Sequence, residues 1–102
     1  MIIAEHVLEA ALAQIFAGRA AGERLSFAEI AAAWSNTGLR LSDLRDAIRA
    51  AVDQHDLRSH GESEGLIFEL SRGGHMRYER ALQRYETPAH WLRQHRQTAT
   101  AD

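Results

Sequence analysis

The sequence predicts a mainly α-helical fold with a small antiparallel β-hairpin, in the order α-α-α-β-β-α plus a short C-terminal helix. Three observations predict it. Between residues 26 and 53, two segments of helical periodicity flank a short polar turn that contains Gly38. Residues 57–60 and 66–70 read as two extended runs on either side of Gly61-Glu62-Ser63-Glu64-Gly65, where the glycines let the chain reverse. A helical pattern then resumes directly after Ser71.

The length of 102 residues holds one modest core, so a single domain over 1–97 is expected, followed by a flexible tail over 98–102. The chain has no Cys, which excludes a disulfide framework and a thiolate metal site and leaves packing to hold the fold. The apolar N-terminal stretch is interrupted by Glu5, His6, Glu9 and Gln14, too often for a membrane span or a signal peptide. A cytoplasmic location is the expectation. All of the basic side chains are Arg and Ala is abundant, a composition that reads as the mutational bias of a GC-rich bacterial genome. The net charge of -2 is unevenly spread. Residues 1–71 carry six Arg against eleven acids, giving -5, and residues 72–102 carry six against three, giving +3. The C-terminal third is therefore the better electrostatic match to a polyanion, or to the acidic remainder of the chain or of a second copy.

A first helix is expected over 2–18. Ile3, Val7, Leu8, Ala11, Leu12 and Ile15 recur at three- and four-residue steps and form one stripe, widened by Ile2 and Phe16. A stripe of that width can be buried within the monomer, or the helix from Ile2 to Phe16 can form a homodimer contact together with the C-terminal segment. Gly18 and Gly22 bracket a loop. Ser26 and Glu29 have the spacing of a capping box, and Phe27, Ile30, Ala31 and Trp34 form the inner side of a second helix that stops at Ser35-Asn36-Thr37-Gly38. Ser42 is expected to cap a third helix, with Asp43 in its first turn; Leu44, Ile48, Ala51 and Val52 then face inward and Arg45, Asp46, Arg49 and Asp53 outward. In the hairpin, Leu66, Phe68 and Leu70 share the inner face. Ser71 is expected to cap a fourth helix over 72–85, with Gly73-Gly74 as the strand-to-helix turn, Tyr78, Ala81, Leu82 and Tyr85 inside, and Arg77, Arg80 and Arg84 on the opposite side. Pro88 opens a short helix over 89–97 that carries Trp91 and Leu92.

The block SFAEIAAAWSNTGLRLSDLRDAIRAAVDQHDL, the hairpin LRSHGESEGLIFEL and the segment LSRGGHMRYERAL together resemble the winged helix-turn-helix superfamily, and within it small bacterial regulators of the MarR and PadR kind. The resemblance implies a DNA-binding transcriptional regulator, acting as a homodimer, whose third helix enters the major groove. The DNA contacts then fall on Arg40, Ser42, Arg45 and Arg49, with the wing at Gly61, Glu62, Ser63, Glu64 and Gly65. Two departures count against direct transfer. The link over 35–41 exceeds the three- to four-residue turn of the standard motif, and the wing tip carries two carboxylates where phosphate would be met.

Those carboxylates, with Asp46 and Asp53 placed to pair with Arg49, support an alternative: an interaction module of the same fold that docks a protein partner through an acidic wing and binds no nucleic acid. Arg77, Arg80 and Arg84 form a secondary basic row, suited to flanking DNA, to holding an acidic partner or simply to facing solvent. The six His lack metal-ligand spacing, since His90 and His95 are five apart and His55 and His60 fall on different elements, so no metal and no cofactor is expected. No nucleophile elbow or phosphate loop is present, and no enzymatic activity is expected.

Overall fold

The computed structural model describes residues 3–62 and 65–100. The elements are α1 (Glu5–Ile15), β1 (Arg24–Ser26), α2 (Phe27–Trp34), a 3-10 turn (Ser35–Thr37), α3 (Leu41–Asp53), β2 (Leu57–Glu62), β3 (Gly65–Leu70), α4 (Arg72–Arg84) and α5 (Pro88–Thr100). The chain is mainly helical, with a three-stranded antiparallel sheet of order β1-β3-β2. Ile2, Ser63, Glu64 and residues 101–102 lie outside the described residues, as do the side chains of Glu62 and of residues 95–100.

α1 is the central element, in contact with α2, α3, α4 and α5. That explains its wide apolar stripe. Val7, Ala11, Leu12, Ala13 and Phe16 are buried within the protomer, and Ile3, Leu8 and Ile15 pack partly against the same core. Burial of this kind is worth roughly 1.5–3 kcal/mol for each large apolar side chain. Of the two uses expected for the stripe, burial within the protomer is the one these residues make. α1 is also shorter than the 2–18 expected: Ala4 offers no side-chain cap, and the chain leaves the helix through Phe16 toward Gly18, which has a left-handed φ of 78°.

Around α1, the second and third helices form as their sequence signals dictate, with one correction. Ser26 accepts from Glu29 N at 3.1 Å while Glu29 Oε2 accepts from Ser26 N at 3.3 Å, closing the capping box. Ser42, however, does not cap α3. The helix begins two residues earlier, with Arg40 at the N-cap and Asp43 Oδ2 accepting from Arg40 N at 3.2 Å, because only Asp43 stands at the position that can reach back. Leu44, Ala47, Ile48 and Ala51 are buried, and Arg45, Asp46, Arg49 and Asp53 are exposed, as the periodicity requires.

β1 is absent from the sequence expectation. Its three residues show no alternation of their own; they are a strand because Leu25 pairs with Phe68 and Arg24 with Glu69 across the edge of β3. β2 and β3 pair from Leu57↔Leu70 to Glu62↔Gly65, with Gly65 at a φ of 122° that only glycine adopts readily. Phe68 and Leu70 are buried, but Leu66, expected beside them, is 51% exposed, because its end of the hairpin runs past the body of the core.

α4 also differs in detail. Its buried line is Gly74, Tyr78 and Ala81, whereas Leu82 and Tyr85 remain substantially exposed. Ser71 does cap it, accepting from Gly74 N at 2.9 Å. Gly73 and Gly74 therefore sit inside the first helical turn instead of forming a separate strand-to-helix turn. Thr87 Oγ1 accepts from His90 N at 3.1 Å at the start of α5, and Trp91 and Leu92 are buried. The helix continues to Thr100, past the end at 97 where a tail was expected.

Candidate nucleic-acid interface

The link between α2 and α3, longer than a standard turn, is a pinned structure. Thr37 Oγ1 donates to Trp34 O at 2.7 Å and accepts from Leu39 N at 3.2 Å, so the buried hydroxyl closes the 3-10 turn from inside. Gly38 then reverses the chain at a φ of 84°, and Leu39 re-enters the core. Trp34, buried to 1% exposure, donates from its indole Nε1 to Arg40 O at 3.0 Å. The start of α3 is therefore held by a side chain locked in the core. Sequence reading placed Trp34 in the core but gave no sign of this second role, which depends on a contact across the turn.

From this anchored helix Arg45 and Arg49 project one turn apart, both exposed. The expected pairs of Arg49 with Asp46 and with Asp53 are not formed, and neither Arg45 nor Arg49 makes an ion pair among the described residues. Arg40 is placed differently. Its Nε lies 3.6 Å from Asp43 Oδ2, which leaves the guanidinium exposed but drawn toward the cap of its own helix. Ser42 is exposed in the first turn, beside Leu41, an apolar side chain 50% exposed on the same end.

The hairpin presents Arg58, His60, Ile67 and Glu69 on the face away from the core, with Arg24 and Ser26 of β1 continuing it by register. Glu69 Oε1 sits at the centre, 3.1 Å from Arg24 Nε and 3.4 Å from His60 Nε2. The second distance allows ion pairing when His60 is protonated but is not an aligned hydrogen bond, and His60 Nε2 has no hydrogen-bond partner. Of the wing tip, Gly61 and Gly65 are described and exposed; Ser63 and Glu64 fall outside the described residues.

The secondary basic row is split. Arg80 and Arg84 are exposed on α4, but Arg77 turns inward, with its Nε 3.1 Å from Asp56 Oδ1 and its Nη1 3.6 Å from Glu9 Oε1. Asp56 is 4% exposed, and burial pushes its carboxyl above the usual range while Arg77 opposes that shift. Neither Asp56 nor its link to Arg77 had a sequence signal, since the pair joins the end of α3 to the middle of α4. Among the described residues, no group of His, Asp or Glu is arranged to hold a metal ion, and no helix is long and apolar enough to cross a membrane.

Comparison of the chain with protein-family models, with curated proteins and with solved structures gives no match. The functional reading therefore rests on the residues themselves.

Proposed function

We propose that the chain is a small DNA-binding protein of the winged helix-turn-helix class, a transcriptional regulator that places α3 in the major groove. The order of elements supports this reading: three helices, then a hairpin whose β3 pairs on its other side with β1. The observation that carries it is the pair Arg45 and Arg49, exposed, one helical turn apart and, among the described residues, without an ion pair to the carboxylates that could have closed on them. A guanidinium already held in an ion pair must break that pair to meet phosphate or a guanine edge; these two need not. Arg40 and Ser42 flank them at the N-terminal end of the helix. Within α3, Asp43, Asp46 and Asp53 outnumber Arg45 and Arg49, so affinity depends on placed contacts more than on the overall field, and each phosphate contact adds to its salt dependence.

Anisotropy titration on a mixed-sequence duplex is expected to give a non-specific Kd on the order of 10–100 μM near physiological salt, tightening as salt is lowered. Arg45→Ala with Arg49→Ala should reduce the slope of log K against log salt by about 2. A wild-type chain that does not bind at low salt and tens of micromolar contradicts the reading. Reversing Glu62 and Glu64 to Arg separates it from the protein-docking alternative. DNA affinity rises if the wing lies against phosphate and stays unchanged if the acidic wing serves another protein. A homodimer completes the proposal, because two copies of α3 can then meet successive major grooves. Its contact must use a surface other than the α1 stripe, and sedimentation at high micromolar concentration is expected to show twice the mass of one chain.

A further inference from the structure

Between α1, α3 and α4 lies a hollow of about 310 Å³, near the lower limit for small-ligand sites. It exists because Ala47, Ala50 and Ala51 of α3 are too short to fill the space opposite Leu8 and Leu12 of α1. Its lining is chemically biased. Glu5 and Glu9 stand one turn apart on α1, a like-charge i, i+4 pair that works against the helix unless a cation sits nearby. Glu5 forms no ion pair among the described residues, and Glu9 reaches Arg77 only at 3.6 Å, since the Arg77 Nε is bound to Asp56 at 3.1 Å. One guanidinium thus serves two of three carboxylates.

A second observation points the same way. Tyr78 lines the hollow, is 3% exposed, and its hydroxyl has no hydrogen-bond partner. Burial comes first and the charges of Asp56 and Glu9 next in pushing its ionisation upward, so the phenol stays neutral and its oxygen remains able to accept. A buried hydroxyl without a partner is unfavourable. At the rim, His6 and Tyr85 present tilted rings 5.5 Å apart.

We propose that this hollow binds a small organic cation, a primary ammonium on an apolar or aromatic body. The ammonium donates to Glu9, Glu5 and the Tyr78 oxygen, while the body lies against the alanines of α3 and the leucines of α1. This proposal is independent of DNA binding and stands or falls by ligand binding alone. The probe is phenethylamine, with phenylacetate as the counterpart of equal shape and opposite charge, followed by amide chemical shifts. Phenethylamine is expected to bind with a Kd on the order of 0.1–1 mM, perturbing the amides of Leu8, Ala47 and Tyr78, and phenylacetate to bind at least about tenfold more weakly. Glu5→Gln with Glu9→Gln should weaken the amine about tenfold or more by removing both charges. Tyr78→Phe should weaken it several-fold yet raise the melting temperature of the free chain, because an unpartnered hydroxyl is removed. A purely structural Tyr78 would instead lower the melting temperature. No saturable binding of the amine at 10 mM, equal binding of the two probes, or shifts confined to other residues would each overturn the proposal.

Discussion

A single methyl group added at Gly74 is expected to cost about 3 kcal/mol, a large share of what holds a domain of this size together. An ideal Cβ there lies 2.2 Å from the carbonyl oxygen of Asp56, 2.8 Å from its carbonyl carbon and 2.9 Å from its Cα. The obstacle is backbone, and it is tied down on every side. Ser71 N donates to Asp56 O at 3.0 Å, and the Ser71 hydroxyl shares its proton between His55 O at 2.7 Å and Asp56 O at 2.9 Å. The same hydroxyl accepts from Gly74 N. His55 already holds a left-handed φ of 63°, so the segment has little freedom to give way. Room for a methyl can come only from separating α4 from the α3-to-β2 junction, at the expense of these bonds. Gly73 provides the control. The nearest atom to a Cβ there is Ser71 Oγ at 4.0 Å, so Gly73→Ala should be neutral or stabilise by about 0.5 kcal/mol through helix propensity. Thermal unfolding of the two variants should differ by roughly 10–20 °C, with Gly74→Ala the lower. Equal melting temperatures would mean that α4 does not approach Asp56 as closely as described.

These adjacent glycines also mark the boundary of what the sequence makes legible. Periodicity and caps are local, so the faces of α2 and α3, the capping box at Ser26 and the cap at Ser71 could be read from spacing alone. The outward face of α3, and with it Arg45 and Arg49, followed from the same periodicity. Where local signals compete, reading fails: Ser42 and Asp43 are both good capping residues, and only the position at which the chain leaves Gly38 decides that Asp43 does the work. Features that depend on a distant partner leave no trace. β1 is a strand only beside β3, Gly74 is required only because Asp56 approaches it, and Arg77 is indistinguishable by spacing from Arg80 and Arg84. The hollow lined by Glu5, Glu9 and Tyr78 is illegible for the same reason. Its residues come from three helices, and its shape depends on alanines that in sequence read merely as good helix formers.

Removing Arg77 is expected to destabilise the chain by about 2 kcal/mol at pH 7 and by much less at pH 4. The Asp56 side chain is 5% exposed, and the Nε of Arg77 at 3.1 Å is its one ion-pair contact among the described residues. Breaking a fully buried pair from one side costs more than this, but Arg77 is 43% exposed, so water will enter part of the space it leaves. The sign of the pH dependence follows from the direction of the Asp56 shift. Burial raises its folded pKa above the ordinary 3.8, with Arg77 and His55 pulling the other way. A carboxyl that holds its proton more tightly when folded makes the chain lose stability as pH rises from the unfolded pKa through the folded one. In Arg77→Leu the main opposing charge is gone, the folded pKa climbs further, and the loss of stability between pH 4 and pH 7 becomes larger than in the parent. Below the unfolded pKa, Asp56 is neutral in both states and most of the difference between variant and parent vanishes. Adding Asp56→Asn to Arg77→Leu should restore much of the stability at pH 7 and flatten the profile, because no buried charge remains to be left alone. Urea unfolding at the two pH values separates this from a packing role: if Arg77→Leu costs the same at pH 4 as at pH 7, the Arg77 stem, and not its charge beside Asp56, is what α4 contributes at the end of α3.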